Sequence, residues 1–202
     1  TAIVGTNVVL LNSVIYSTND LSVALNVDAA GAVVSNNTVV ATRGTAMRKR
    51  GSGILRSSHN ILRSDGDESC QVIEWQDGTL ISDWNNLVAR GGSWLGAWNG
   101  KWEKLAYWQA VSGQDANSVS FEPLFNDEEG GDFHLKSMAG RWDPGTSNWV
   151  VDATHSPVID LGDVGAGDEP LPNGYRRNLG AYGGTEQGSK SLTNFWLRAL
   201  TM

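Results

Sequence analysis

Four side chains within residues 49–63 have the chemistry to take a proton or to hold an anion: Lys49, Arg50, His59 and Arg63. A lysine or arginine next to an acidic group neutralises it, and a cation whose pKa is lowered by burial can act as a base. Directly after them stands Asp65-Gly66-Asp67-Glu68, alternate carboxylates around a glycine turn. Asp65, Asp67 and Glu68 form a partial Ca²⁺ site by type, because a hard cation takes several oxygens from a tight turn. The same carboxylates could serve as the acid and base of a glycoside hydrolase. Downstream, Trp94, Trp98 and Trp102 lie in a Gly-rich stretch, and indole faces stack on sugar rings at little entropic cost. Each group has a plainer reading: a solvated turn between strands, a flanking position on an asparagine ladder for His59, and packing for the tryptophans. Asp160, Asp163, Asp168 and Glu169 read as structural partners of Arg176 or Arg177, and His134 and His155 receive no role.

The elements that must position these groups show in a recurring word. Asn12-Ser13-Val14-Ile15, Asn36-Asn37-Thr38-Val39-Val40, His59-Asn60-Ile61-Leu62 and Asn85-Asn86-Leu87-Val88 repeat an Asn followed by apolar residues. With Asn12, Asn37, Asn60 and Asn86 as the common position, the period of about 25 residues is that of a solenoid. The words are too short for helices and rich in β-branched residues, so the coils are made of short strands. Adjacent strands lie about 4.8 Å apart, which lets stacked asparagines hydrogen-bond from coil to coil.

Each coil contains a first strand such as Val23–Val27 or Gln71–Trp75. A second follows (Asn7–Leu11, Ala32–Ser35, Gly53–Arg56, Gly78–Ser82), and then a third that begins at the Asn word. Three short strands per coil, all winding one way, predict a right-handed parallel β-helix of about four coils over residues 1–92. From Gly91 the pattern changes. Glu103–Val111 has helical spacing, with Leu105, Trp108 and Val111 on one face and Gly113 as its stop. Phe121–Phe125 and Asp132–Leu135 read as extended. The Gly-, Pro-, Asn- and Asp-rich run 143–185 reads as irregular backbone around the end of the solenoid. Residues 93–188 are therefore expected to be a cap with a short helix and long loops, and 189–202 a linker or the start of a further module.

The chain carries a formal charge of −7, which argues against general nucleic-acid binding. Its charge is segregated: residues 29–64 hold six Lys and Arg and no acid, which suggests a basic patch for an anionic ligand. The apolar runs are too short to span a membrane. A single Cys70 rules out an internal disulfide framework and reads as a small buried side chain. No amphipathic helix precedes the first coil, so more of a longer chain, or neighbouring chains, is expected to stack there.

The passage Trp108–Ser118, with Glu122-Pro123-Leu124-Phe125, Asp132-Phe133-His134-Leu135 and Ser156–Gly162, resembles the C-terminal region of bacterial right-handed parallel β-helix proteins of the pectate-lyase-like superfamily. The run Glu169–Thr185 is similar to that family's terminal signature. The resemblance implies a secreted or surface protein that cleaves or holds polysaccharide. It also implies a possible mechanism: β-elimination of a uronate polymer with Lys49, Arg50, His59 or Arg63 supplying base and neutralising cation, with Ca²⁺ as cofactor. The non-catalytic alternative is an adhesive or structural solenoid in a surface, matrix or filament assembly.

Overall fold

A computed structural model describes residues 1–192, so residues 193–202 of the expected linker or further module lie outside the described residues. The chain winds through four coils of three strands each. The first coil is β1 (Ala2–Gly5), β2 (Val8–Leu11) and β3 (Val14–Ser17); the second is β4 (Val23–Ala29), β5 (Gly31–Ser35) and β6 (Thr38–Ala41). The third is β7 (Thr45–Arg50), β8 (Ile54–Ser58) and β9 (Ile61–Ser64); the fourth is β10 (Gln71–Trp75), β11 (Thr79–Asp83) and β12 (Asn86–Ala89). Strands at equivalent places pair in parallel, giving three sheets ordered β1-β4-β7-β10, β2-β5-β8-β11 and β3-β6-β9-β12. This is the expected right-handed parallel β-helix. A further strand, β13 (Trp94–Ala97), extends the first sheet, and β14 (Lys101–Trp102) folds back antiparallel on it.

Period-2 alternation fills the lumen. Across the second sheet Val8, Ala32, Leu55 and Leu80 stack in register, and across the third Ile15, Val39, Leu62 and Leu87 do the same. Both rows belong to one apolar core with Leu25, Met47 and Ile73 of the first sheet. Such rows repeat a favourable apolar contact at every coil, and each buried aliphatic side chain contributes about 1.5–3 kcal/mol.

The asparagine ladder forms through Asn37 and Asn60 as expected, but at each end the expected residue is off by one: Ser13 rather than Asn12, and Asn85 rather than Asn86. Asn37, Asn60 and Asn85 are the stacked set: Asn37 Nδ2 donates to Asn60 Oδ1 at 3.1 Å, and Asn60 Nδ2 to Asn85 Oδ1 at 3.0 Å. Each ladder oxygen also accepts the backbone N–H of the residue in the coil before it, from Ser13, Asn37 and Asn60 in turn. Asn12 precedes the rung, and Asn86 follows it. The reason is the corner between second and third sheets. Asn12, Asn36, His59 and Trp84 all have φ between 46° and 58°, the left-handed region that Asn tolerates best. A corner residue and a ladder residue are therefore both asparagine in the second coil, and only the fold tells them apart.

The helix is α1 (Leu105–Ser112), closed by Gly113 at φ 68°. Trp108 is buried and Leu105 packs on the core, but Val111 is exposed, so the apolar face is narrower than its spacing predicts. Trp108 covers the top of the lumen. A Cβ on Gly96 would stand 2.2 Å from its ring, so only glycine fits there.

The loop-rich region does not wrap the solenoid's end, as expected, but lies along its side. The hairpin β15 (Phe125–Asp127) and β16 (Asp132–Leu135), with Val158, Ile159 and Leu179, packs on Val40 and Ile61 of the third sheet's outer face. A second hairpin, β17 (Arg141–Asp143) and β18 (Asn148–Val150), follows. The left-handed corner anchors the covering loop. Asn12 Nδ2 donates to Ala181 O and Gly183 O, both at 2.9 Å, and Asn36 Nδ2 to Asn178 O. His59 O accepts from Gly180 N–H at 2.8 Å.

Candidate functional site

The fold carries Lys49, Arg50, His59 and Arg63 to different faces. Lys49 stands in register with Val27 and Trp75 in the first sheet, fully buried, its Nζ donating to the carbonyls of Arg50 and Gly51. Burial lowers its pKa, against the pull of Asp77 and Asp28. Arg50, next along the strand, points to solvent. His59 sits on the corner, where its Nε2 accepts from Asp163 N–H at 3.0 Å, and burial together with nearby Arg177 lowers its pKa. Arg63 is buried under the cap, its guanidinium forked onto both oxygens of Glu128 and 3.0 Å from Asp65, with Phe125 beneath it. The rest of the basic segment disperses too: Arg48 pairs with Glu74 at 2.6 Å, Arg43 with Asp20 at 2.8 Å, and Arg56 lies on the second sheet. The basic segment is therefore spread over several faces, because successive short strands face three directions.

The acidic turn fares differently. The turns that carry the chain from third sheet to first stack in successive coils and enclose a cleft of about 500 Å³ lined by Asp20, Leu21, Arg43, Asp65, Gly66, Asp67 and Gly91. Asp65 Oδ2 faces Arg63 and, at 3.8 Å, Arg90, while its Oδ1 is buried with no hydrogen-bond partner. Burial holds the Asp65 carboxyl above the usual carboxylate range despite these two arginines. Asp67 Oδ1 accepts from the N–H and hydroxyl of Ser69, which draw its pKa down. Gly66 lies over buried Cys70; a Cβ there would be 2.5 Å from the sulfur. One raised and one lowered carboxyl therefore border one cleft.

Among the described residues no three His, Cys, Asp or Glu side chains converge as an ion-binding group. Of the three carboxylates in the acidic turn, Asp65 Oδ2 faces Arg63 and Asp67 Oδ1 accepts from Ser69.

The tryptophans divide as well. Trp98 stacks on Trp75 at 4.0 Å and Trp102 Nε1 donates to Trp98 O, both rings packing against the core rather than forming an open row. Trp94 is half-buried beside the acidic turn, its Nε1 donating to Glu68 O at 2.8 Å.

Two features escaped the linear reading. His134 Nδ1 donates to Asp132 Oδ1 at 2.5 Å, its ring stacks on Tyr182 at 3.5 Å, and its Nε2 faces Gln187. Asp132 is held at about 2: hydrogen bonds from His134 and Asn126 outweigh burial, the largest single effect. The signal was present, since residues two apart on a strand share a face. The other is the Trp142–Trp149 edge-to-face pair on β17–β18.

Fold and site together define a parallel β-helix protein with an acid-lined cleft on its turns and a cap along one side. Residues 103–162, which include α1 and the first cap hairpin, match the model of a family described as disaggregatase related. No curated protein and no solved structure matches the chain. No helix among the described residues is long and apolar enough to cross a membrane.

Proposed function

We propose that this chain is part of a secreted or surface β-helix protein, of the pectate-lyase-like kind, that engages polysaccharide in the cleft of Asp20, Asp65 and Asp67. The observation that carries this reading is the cleft itself, with three aspartates, Asp20, Asp65 and Asp67, along it. Carboxylates accept hydrogen bonds from sugar hydroxyls, and half-exposed Trp94 beside the turn offers a stacking face. The similarity of residues 103–162 to a disaggregatase-related family is consistent with a surface or polysaccharide-associated β-helix. Cleavage in this cleft would use Asp65, kept protonated to a higher pH, as the acid towards a glycosidic oxygen. β-Elimination would instead draw its cation from Arg43 or Arg90 at the cleft's edge. Ca²⁺ enters only as an ion whose shell the glycan's own oxygens complete.

The test is calorimetric titration of neutral and uronate oligosaccharides, with and without Ca²⁺, into the protein and its Asp65→Asn and Asp67→Asn variants. Reducing-end and ultraviolet assays follow hydrolysis and elimination. Binding weakened about tenfold by either substitution is expected. Binding that both variants retain in full removes the cleft as the site.

A structural or adhesive solenoid is the second reading. It is favoured by β1, β2 and β3, each of which pairs on one side only and so offers an edge to a further coil. Sedimentation at rising concentration, with end-to-end growth or none, decides it.

A further inference from the structure

We infer that the outer face of the second sheet is a binding site for an apolar acid, an aliphatic body carrying one carboxylate, separate from the glycan cleft. Outward side chains on β2, β5, β8 and β11 form rows across the coils. One row is Val9, Val33, Arg56 and Ile81; a neighbouring row is Gly31, Ile54 and Thr79. Val9, Ile54 and Ile81 are 60%, 41% and 43% exposed, although apolar side chains on a solvated sheet face leave water-facing area that a ligand would remove.

Gly31 lies in this face beside Asn7, whose Oδ1 would stand 3.1 Å from a Cβ there. A concavity of about 300 Å³ lies there, with Val9, Val33 and Ile54 as its outward apolar side chains and Asn7 and Arg56 at its border. Arg56 is exposed and, among the described residues, has no ion-pair or hydrogen-bond partner, in a chain whose net charge is −7. Its neighbours along the row are Val33 and Ile81, so an uncompensated positive charge borders an apolar strip of the face. A carboxylate head with an aliphatic tail satisfies both at once.

Size decides between this ligand and a second copy of the chain. Four strands about 4.8 Å apart and five residues long span roughly 300 Å², so two such faces together would bury roughly 600 Å². A stable protein interface needs about 1,200 Å² or more, whereas the hollow is within the range of small-ligand pockets.

The probes are decanoate, decanol and the apolar anion 1-anilinonaphthalene-8-sulfonate, whose fluorescence rises on leaving water. Expected are saturable sulfonate fluorescence displaced by decanoate, decanoate binding about tenfold weaker in Arg56→Gln, and decanol binding weaker than decanoate by a similar factor. Ile54→Ser should weaken both probes. Circular dichroism and oligosaccharide binding should stay unchanged in both variants, which separates this site from the cleft. Equal decanoate affinity in wild type, Arg56→Gln and Ile54→Ser overturns the inference. So does a sedimentation result in which the chain dimerises and Ile54→Ser abolishes the dimer.

Discussion

Trp108 donates its indole N–H to Asp115 Oδ2 at 2.8 Å, a bond between two buried side chains that joins the helix over the lumen to the end of the asparagine ladder. The other oxygen of Asp115 accepts from Ser82 Oγ, Ser118 Oγ and Asn85 Nδ2, so one carboxylate terminates the ladder and holds its lid. Asp115→Ala takes the acceptor from Trp108 Nε1, Ser82 Oγ and Ser118 Oγ, while Asn85 Nδ2 keeps Ser57 O and Ser82 Oγ. At about 1–3 kcal/mol for the first such group and less for those that relax, a loss of about 3–4 kcal/mol is expected in urea unfolding. The tryptophan fluorescence of the native state should shift red as Trp108 gains water.

The ladder and the corner should respond unequally. Asn60 is fully buried and donates to Val34 O, Ser57 Oγ and Asn85 Oδ1 while accepting from Asn37, so Asn60→Ala should cost about 3 kcal/mol. Asn12 is exposed and donates only to the cap loop at Ala181 and Gly183, so Asn12→Ala should cost about 1 kcal/mol. Hydrogen exchange in Asn12→Ala should rise in residues 178–184 and not in the coils. Equal costs would mean the one-residue offset at Asn12 is wrong.

Two groups tie the cap to pH with opposite signs. The His59 pKa is lowered from 6.5 in the folded chain, so the unfolded chain takes up its proton first. Its contribution is complete above 6.5 and is lost as pH falls below that value. Glu169 is raised from 4.5 to about 7 by burial, against hydrogen bonds from the N–H groups of Asn178 and Gly184. Its contribution is complete below 4.5 and is lost as pH rises to about 7, a change of about 3 kcal/mol. Urea midpoints from pH 4 to 8 should therefore lose their acid-side slope in His59→Gln, and the slope between 4.5 and 7 in Glu169→Gln.

Lys49 offers a test that separates packing from catalysis. Its ammonium is buried and donates to two backbone carbonyls of its own turn, so Lys49→Met exchanges a desolvated charge for an isosteric apolar chain. Such exchanges are often neutral, and a stability change within about 1–2 kcal/mol is expected, with oligosaccharide binding unchanged. Loss of a measured cleavage activity at unchanged stability would return Lys49 to the catalytic list.

The cap's anchor on the third sheet should be as sensitive as the ladder. Arg63 is 1% exposed, and Glu128 supplies its forked partner. Glu128→Gln leaves that guanidinium with Asp65 alone, and a cost of about 3 kcal/mol is expected in urea unfolding. Arg63→Met together with Glu128→Leu should recover most of it.

The linear order of residues determined the coils. Short β-branched runs at a period near 25 residues alternate in and out by the geometry of a strand, and that needs no partner to be read. The end of the helix at Gly113 and the extended stretch Asp132–Leu135 were equally local. Which asparagine enters the ladder was not, because Asn36 and Asn37 differ only in which one takes the left-handed corner. That choice is made by hydrogen bonds to residues more than twenty positions away. The site was decided later still. Lys49, Arg50, His59 and Arg63 are neighbours in sequence, yet a coil that turns through three sheets sends neighbours to the lumen, the solvent, a corner and a buried ion pair. Asp20, Asp65 and Gly91, far apart along the chain, meet at one cleft because stacking brings equivalent turns of successive coils to within a strand spacing of each other.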